Sequence, residues 1–226
     1  MNPNLVENWS VLDQDNALAK AIQKQNKWSH RQDSKVLDYQ KNQLTQALKY
    51  VKKFSSAIDA GANYGIMSYH LSKTFDKVYA FEIDNAVRNC LSDNMKKFNC
   101  ANVEILSCGL GDKESTTSLK YIKNSFATHV DPDATDGDYL VKTIDSFDFS
   151  SCDFIKIDCE GYEPHIIKGG EQTIKRFQPV ILMEDKGLSA NYGLRENEAE
   201  LLLASWGYKR VISFKKDCIM AYGRKT

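Results

Sequence analysis

The apolar positions of this chain change their period several times. Short, mostly apolar runs occur at Ser56–Ala60, Lys77–Glu82, Val103–Ser107, Phe154–Asp158 and Val180–Glu184. Between them apolar residues recur at helical spacing: Val87, Leu91, Met95 and Phe98 form one stripe, and Ile166, Ile167, Ile174 and Phe177 another. Pro164 falls where the second of these helices begins, where a fixed φ and a missing N–H are tolerated. Strand-like runs alternating with amphipathic helices predict a parallel sheet covered on both faces. The C-terminal end departs from this rhythm. Ala199, Leu202, Leu203 and Trp206 predict a last helix, followed by strands at Tyr208–Ser213 and Ile219–Tyr222. The charged turn between those strands is too short for a crossover helix, so they pair antiparallel. The expected fold is α/β and Rossmann-like, a doubly wound, mostly parallel, seven-stranded sheet closed by an antiparallel C-terminal hairpin.

The first fifty residues are polar and helix-prone, with Leu44, Leu48 and Val51 on one helical face. They predict a helical extension over residues 1–50, ahead of a Rossmann-like domain over 51–226. The 226 residues include 30 basic and 30 acidic side chains, so no net field recruits nucleic acid or an anionic membrane. No apolar run approaches the length of a membrane span, and the polar, acidic start does not read as a signal peptide. A cytoplasmic protein is expected. The six cysteines, Cys90, Cys100, Cys108, Cys152, Cys159 and Cys218, contain no C-x-x-C pair. They read as small apolar fillers in a reducing compartment, not as zinc ligands.

The most informative stretch is Ala57-Ile-Asp-Ala-Gly-Ala-Asn-Tyr-Gly-Ile66. A strand ends near Asp59, and Gly61 and Gly65 permit a tight turn into a helix, with no Cβ to block a ligand against the backbone. Such a ligand would sit at the C-terminal edge of the sheet, near the switch point of strand order. A dinucleotide site wants G-x-G-x-x-G, and Asn63 stands where the middle glycine belongs. The spacing here is D-x-G-x-x-x-G. An acid beside the loop repels a pyrophosphate and suits the ammonium of a methionine moiety, which points to S-adenosylmethionine. Glu82 ends the second strand about twenty residues on, where an acid accepts both ribose hydroxyls. The candidate cofactor residues are Asp59, Gly61, Ala62, Asn63, Tyr64 and Gly65 around the loop, with Glu82 and Ile83 at the ribose. Cys108 and Gly109, after the third strand, are candidates for the adenine. Asp84 reads as the N-cap of the next helix.

Further along come Lys142-Thr-Ile-Asp-Ser-Phe147 and Cys152-Asp-Phe-Ile-Lys-Ile-Asp-Cys-Glu-Gly-Tyr-Glu163. His165-Ile-Ile-Lys-Gly-Gly170 and Val180-Ile-Leu-Met-Glu184 follow. With the loop motif and Gly-Leu-Gly-Asp at Gly109–Asp112, this order resembles the FkbM family of methyltransferases over roughly residues 56–186. The resemblance implies a class I methyltransferase fold, S-adenosyl-L-methionine as cofactor, and O-methylation of hydroxyls on sugars or small polar metabolites. The expected partner is therefore a small-molecule or glycan acceptor, with nucleic acid and membrane not expected. Residues 1–50 and 123–138 follow no family pattern and are where acceptor choice is expected to lie.

Two alternatives share the fold. An NAD(P)-dependent oxidoreductase is disfavoured by the broken glycine pattern and by the closing hairpin. A nucleic-acid methyltransferase is disfavoured by neutral charge and by a fourth-strand sequence unlike the D/N-P-P-Y/F type.

A hydroxyl is a poor nucleophile and must lose its proton to a base or to metal-assisted ionisation. Asp158 ends the fourth strand beside the expected methyl position, where it also counts as a cofactor residue. Glu160 follows two residues later, and Glu184 ends the fifth strand next door. The candidate catalytic residues are Asp158, Glu160 and Glu184, with His165 as a possible sharer of the base role. The same three carboxylates are the alternative ligands of a divalent cation. Glu163 reads instead as charge at a helix N-terminus. Lys156, inside a strand covered on both faces, is expected to pair with a carboxylate. His129 is a further candidate for the acceptor pocket, or a loop histidine.

Overall fold

A computed structural model describes residues 4–6, 9–12, 40–121, 128–131, 134 and 136–223. In chain order the strands begin with β1 (Asn4–Val6), β2 (Trp9–Val11), β3 (Ser56–Ala60), β4 (Lys77–Phe81) and β5 (Val103–Leu106). Then come β6 (Gly109–Leu110), β7 (Ser115–Thr117), β8 (Leu119–Tyr121), β9 (Thr128–Val130) and β10 (Tyr139–Lys142). The last four are β11 (Phe154–Ile157), β12 (Val180–Glu184), β13 (Tyr208–Ser213) and β14 (Asp217–Tyr222). The α-helices are α1 (Lys41–Leu48), α2 (Ile66–Ser72), α3 (Asn85–Lys97), α4 (Glu163–Lys168), α5 (Glu171–Phe177) and α6 (Glu198–Ser205).

The main sheet has seven strands in the order β5-β4-β3-β11-β12-β14-β13. All run parallel except β14, which is antiparallel to β12 and β13. This is the expected plan, hairpin included.

Alternation along the strands divides the core between two faces. Ile58, Ala60, Ile155, Ile157, Ile181 and Met183 face Ile166, Ile167, Ile174 and Leu203 of α4, α5 and α6. On the other face Ala57, Phe154, Val180 and Leu182 meet Leu44, Ala47, Met67 and Leu71 of α1 and α2. Burying each such Leu or Ile contributes roughly 1.5–3 kcal/mol.

Two expectations are corrected. β1 and β2 pair antiparallel, with Asn4 opposite Val11, where a helix is expected. Tertiary contacts override local helix preference here. Trp9 is fully buried against Phe98 and Tyr69. Asn94, buried within α3, exchanges two hydrogen bonds with the Ser10 backbone, donating to its carbonyl at 3.0 Å and accepting its N–H at 2.6 Å. Only α1 is helical among the described residues of the extension, and residues 13–39 lie outside them.

The second correction concerns the stripe from Ile166 to Phe177, which is two helices broken at Gly169–Gly170. A Cβ on Gly169 would stand 1.9 Å from the Gly111 carbonyl oxygen, so the chain bends where α4 abuts the segment after β6. Asp145 then caps α5, accepting the N–H groups of Gln172 and Thr173 at 3.0 and 2.8 Å. Two of the stretches that carry the family resemblance, around Asp145 and Gly169, thus serve the scaffold.

No helix among the described residues is long and apolar enough to cross a membrane.

Candidate active site

Parallel register brings β3 and β11 to an end side by side, with Ala60 opposite Ile157. The strand order diverges between these two strands, and a cavity of about 340 Å³ opens beyond their C-terminal ends.

The glycine loop forms one wall. Gly61 (φ +75°) and Asn63 (φ +50°) are left-handed, and the N–H groups of Gly61 and Ala62 both donate to the Phe81 carbonyl, at 3.1 and 2.9 Å. A Cβ on Gly61 would lie 2.3 Å from the Asp158 carbonyl oxygen, so the backbone just past β11 already demands glycine here. Gly65 (φ +89°) starts α2, and its missing Cβ makes room for Leu91 and Met95 of α3. Of the loop, Gly61, Ala62, Asn63 and Tyr64 line the cavity and Gly65 does not.

Asp59 does not reach the cavity either. It is fully buried, accepts the Ser68 hydroxyl at 2.6 Å and lies 3.3 Å from the Lys156 ammonium, its partner in strand register. Lys156, expected to pair with a carboxylate, also donates to the Gly61 carbonyl at 2.8 Å. The pair ties the loop to β11 from beneath.

Glu82 lines the cavity just past β4. Its two oxygens accept the N–H groups of Asn63 at 2.8 Å and Asp84 at 2.9 Å. Burial pushes its carboxyl up to about 7, against the pull of those two hydrogen bonds. Asp84 caps α3 through Ala86 and Val87. Ile83 and Gly109 line the apolar end, and Ile83 packs so closely on Gly109 that a Cβ there would sit 2.7 Å from it. Cys108 is buried in the core and does not line the cavity.

The other end holds the carboxylates. Asp158, Glu160 and Glu184 each bring an oxygen within 4.8 Å of the others. Asp158 and Glu160 line the cavity, but Glu184 stands behind it, its side chain 5% exposed. Between them is a residue that sequence reasoning missed. The Lys186 ammonium contacts Glu184 Oε1 and lies 3.3 Å from Glu160 Oε2. Burial, helped by the Asp158 charge, pushes the Glu184 carboxyl up, against the opposing pull of the Lys186 ammonium. Lys186 is itself raised, because its contact with Glu184 outweighs burial.

Gln40 was missed as well. Its amide donates to Asp158 Oδ2 and Asp217 Oδ1, both at 3.2 Å, and bridges two like charges at the cavity mouth. A lysine past a strand end and a glutamine in a polar segment look solvated in sequence, so no local signal marks either.

His165 is not part of this cluster. Its Nδ1 lies 3.3 Å from Asp112 Oδ2, its ring stacks on Tyr162, and it does not line the cavity. Glu163 is buried and accepts the N–H groups of Cys159 and Gly161 at 3.0 and 3.2 Å, so it braces the turn before α4. Leu119 of β8 and Val130 of its antiparallel partner β9 also line the cavity. Residues 122–127 and the side chain of His129 lie outside the described residues.

Residues 59–210 match the methyltransferase FkbM domain. The chain belongs to the FkbM methyltransferase family. Among solved structures, an FkbM methyltransferase from Methylobacillus flagellatus KT superposes with a TM-score of 0.50 at 17% identity. That match covers 74% of this chain but only 43% of the Methylobacillus protein. A precorrin-6y C5,15-methyltransferase from Geobacter metallireducens gives a TM-score of 0.53 at 17% identity, over 86% of this chain and 94% of that one. A Streptococcus mutans protein, solved in complex with SAH, gives 0.53 at 14% identity over 80% and 96% of the two chains. These likenesses bear on fold alone. No curated protein matches the sequence. The matched region of the chain holds both the glycine loop and the carboxylate cluster.

Proposed function

We propose that this FkbM methyltransferase uses S-adenosyl-L-methionine to methylate a hydroxyl on a sugar or small polar metabolite. One observation carries the reading: a single cavity joins a cofactor-shaped end to a carboxylate-rich end. The residues of the first end suit the cofactor. Glu82 offers a buried carboxylate to ribose hydroxyls, and Ile83 with Leu110 offers an apolar slot for a purine. When bound, the cofactor supplies an electrophilic methyl group to the acceptor oxygen. The chain orients that oxygen between Asp158 and Glu160 and removes its proton, and Asp158 is the base. The acceptor end is too polar for a purely apolar substrate. The balanced charge of the chain argues against a nucleic acid.

Calorimetry on the whole chain should show binding of S-adenosylmethionine and S-adenosylhomocysteine, and none of NAD. Mass spectrometry of methylated products should then place the new carbon on oxygen. Tight NAD binding without S-adenosylmethionine would overturn the cofactor, and a product methylated on nitrogen or carbon would overturn the acceptor.

Glu82 makes the cofactor affinity pH-dependent. Its free carboxyl holds a proton up to about pH 7, whereas ribose hydroxyls donate to the ionised form. Affinity should therefore tighten as pH rises through 7 and level off above it. At pH 6 it should be about tenfold weaker than the plateau, since only the ionised fraction is competent. Glu82→Gln should flatten the profile, and Glu82→Ala should weaken binding about tenfold or more by leaving hydroxyls unpaired. An unchanged profile in Glu82→Gln would refute the assignment.

A further inference from the structure

Three acidic side chains gathered from two strand ends make a usual seat for a divalent cation. Here the seat is already taken by the protein itself. Lys186 reaches back from two residues beyond β12, its ammonium touching Glu184 and standing 3.3 Å from Glu160. Glu184 holds it from behind, and Lys186 lines the cavity next to Asp158 and Glu160. The second oxygen of Glu184 is buried with no hydrogen-bond partner among the described residues. The Glu184 carboxylate is therefore anchored through Lys186, and losing the lysine would leave a buried acid uncompensated.

We infer that Lys186 is the built-in cation of the acceptor site: it contacts the acceptor oxygen and stabilises the charge developing there, in the position a divalent metal would otherwise fill. This rests on the methyl-transfer reading above. In the step itself the acceptor oxygen bonds the methyl carbon and its proton passes to Asp158. The electron pair of the broken carbon–sulfur bond stays on sulfur. Lys186 neither gains nor loses a proton. Its ammonium offsets negative charge on the acceptor oxygen, and Glu160 and Glu184 fix its position.

The test uses the full chain with Mn²⁺ as probe, read by calorimetry and electron paramagnetic resonance, alongside turnover. The wild-type protein should show no stoichiometric Mn²⁺ site below millimolar concentration, and chelator should leave turnover unchanged. Lys186→Ala should lose roughly 10²–10³-fold in turnover, the cost of removing one positioned charge-stabilising group. It should also gain a Mn²⁺ site at least about tenfold tighter, with turnover partly restored by Mn²⁺ or by methylamine. Lys186→Ala combined with Glu184→Gln removes the orphaned charge, so it keeps the fold should the single variant lose it. It should show the same loss of turnover without the tight Mn²⁺ site. Wild-type Mn²⁺ uptake, chelator-sensitive turnover, or full turnover in Lys186→Ala would each overturn the inference. The Mn²⁺ arm needs no acceptor. A gained Mn²⁺ site in Lys186→Ala, with no methyl transfer by the wild-type protein, would sink the methyl-transfer reading and with it the role of Lys186 at the acceptor oxygen, leaving Lys186 only as the cation held by Glu160 and Glu184.

Discussion

Gly61→Ala is expected to cost about 3–5 kcal/mol of stability, roughly 10 °C in Tm for a domain of this size, and to abolish measurable cofactor binding. Two costs coincide at this position. The backbone is left-handed at φ +75°, and an added Cβ would sit 2.3 Å from the Asp158 carbonyl oxygen. That obstacle is backbone immediately past the end of β11, so no side chain can swing away to relieve it. Relief would require β3 and β11 to separate, which would move the loop and Asp158 together. Gly193→Ala provides the comparison, because Gly193 has nearly the same φ, +73°, but nothing within 4 Å of the added carbon. It should cost only about 1–2 kcal/mol, the price of the left-handed conformation alone. Chemical denaturation of both variants, with S-adenosylhomocysteine titrations, reads the difference. Equal losses in the two would mean that the approach to β11 does not constrain the loop.

Asp158→Asn is expected to lower turnover 10²–10⁴-fold while S-adenosylmethionine affinity stays within about threefold. The amide keeps the shape of the side chain and can still accept from the Gln40 amide, which donates to Asp158 at 3.2 Å. It cannot take a proton. Glu184→Gln should act more weakly, since Glu184 stands behind Lys186 and off the cavity wall. Single-turnover kinetics with saturating cofactor separates the chemical step from binding. Near-normal turnover in Asp158→Asn, with Glu160→Gln inactive, would transfer the base role to Glu160.

The strands and most helices were legible because their signals are local. β3, β12 and β13 occupy the ranges that hydrophobic runs mark out, and the short turn before β14 determines its direction. The loop motif was legible for the same reason: a left-handed glycine, an N-cap at Asp84 and an acid ending a strand are choices made within a few residues. Asp59 was read less well. Its carboxylate suggested a ligand, but register places Lys156 directly opposite, and a buried acid with that partner is held in the sheet.

Sequence by itself determined the fold class, the position of the glycine loop and the presence of acids at two strand ends. Those features depend on periodicity and short-range spacing, which the chain carries whatever its remote contacts. Tertiary structure decided which groups share the cavity. Lys186 and Glu160 are 26 residues apart and meet because β11 and β12 end in register. His165 is drawn to Asp112 because α4 closes against the segment after β6, where Gly169 admits the Gly111 carbonyl. Gln40 reaches Asp158 across 118 residues, and Trp9 is buried because Asn94 of α3 and Phe98 just past its end meet an otherwise polar segment. A side chain's partner over such separations depends on how whole elements pack, and no local pattern encodes that packing.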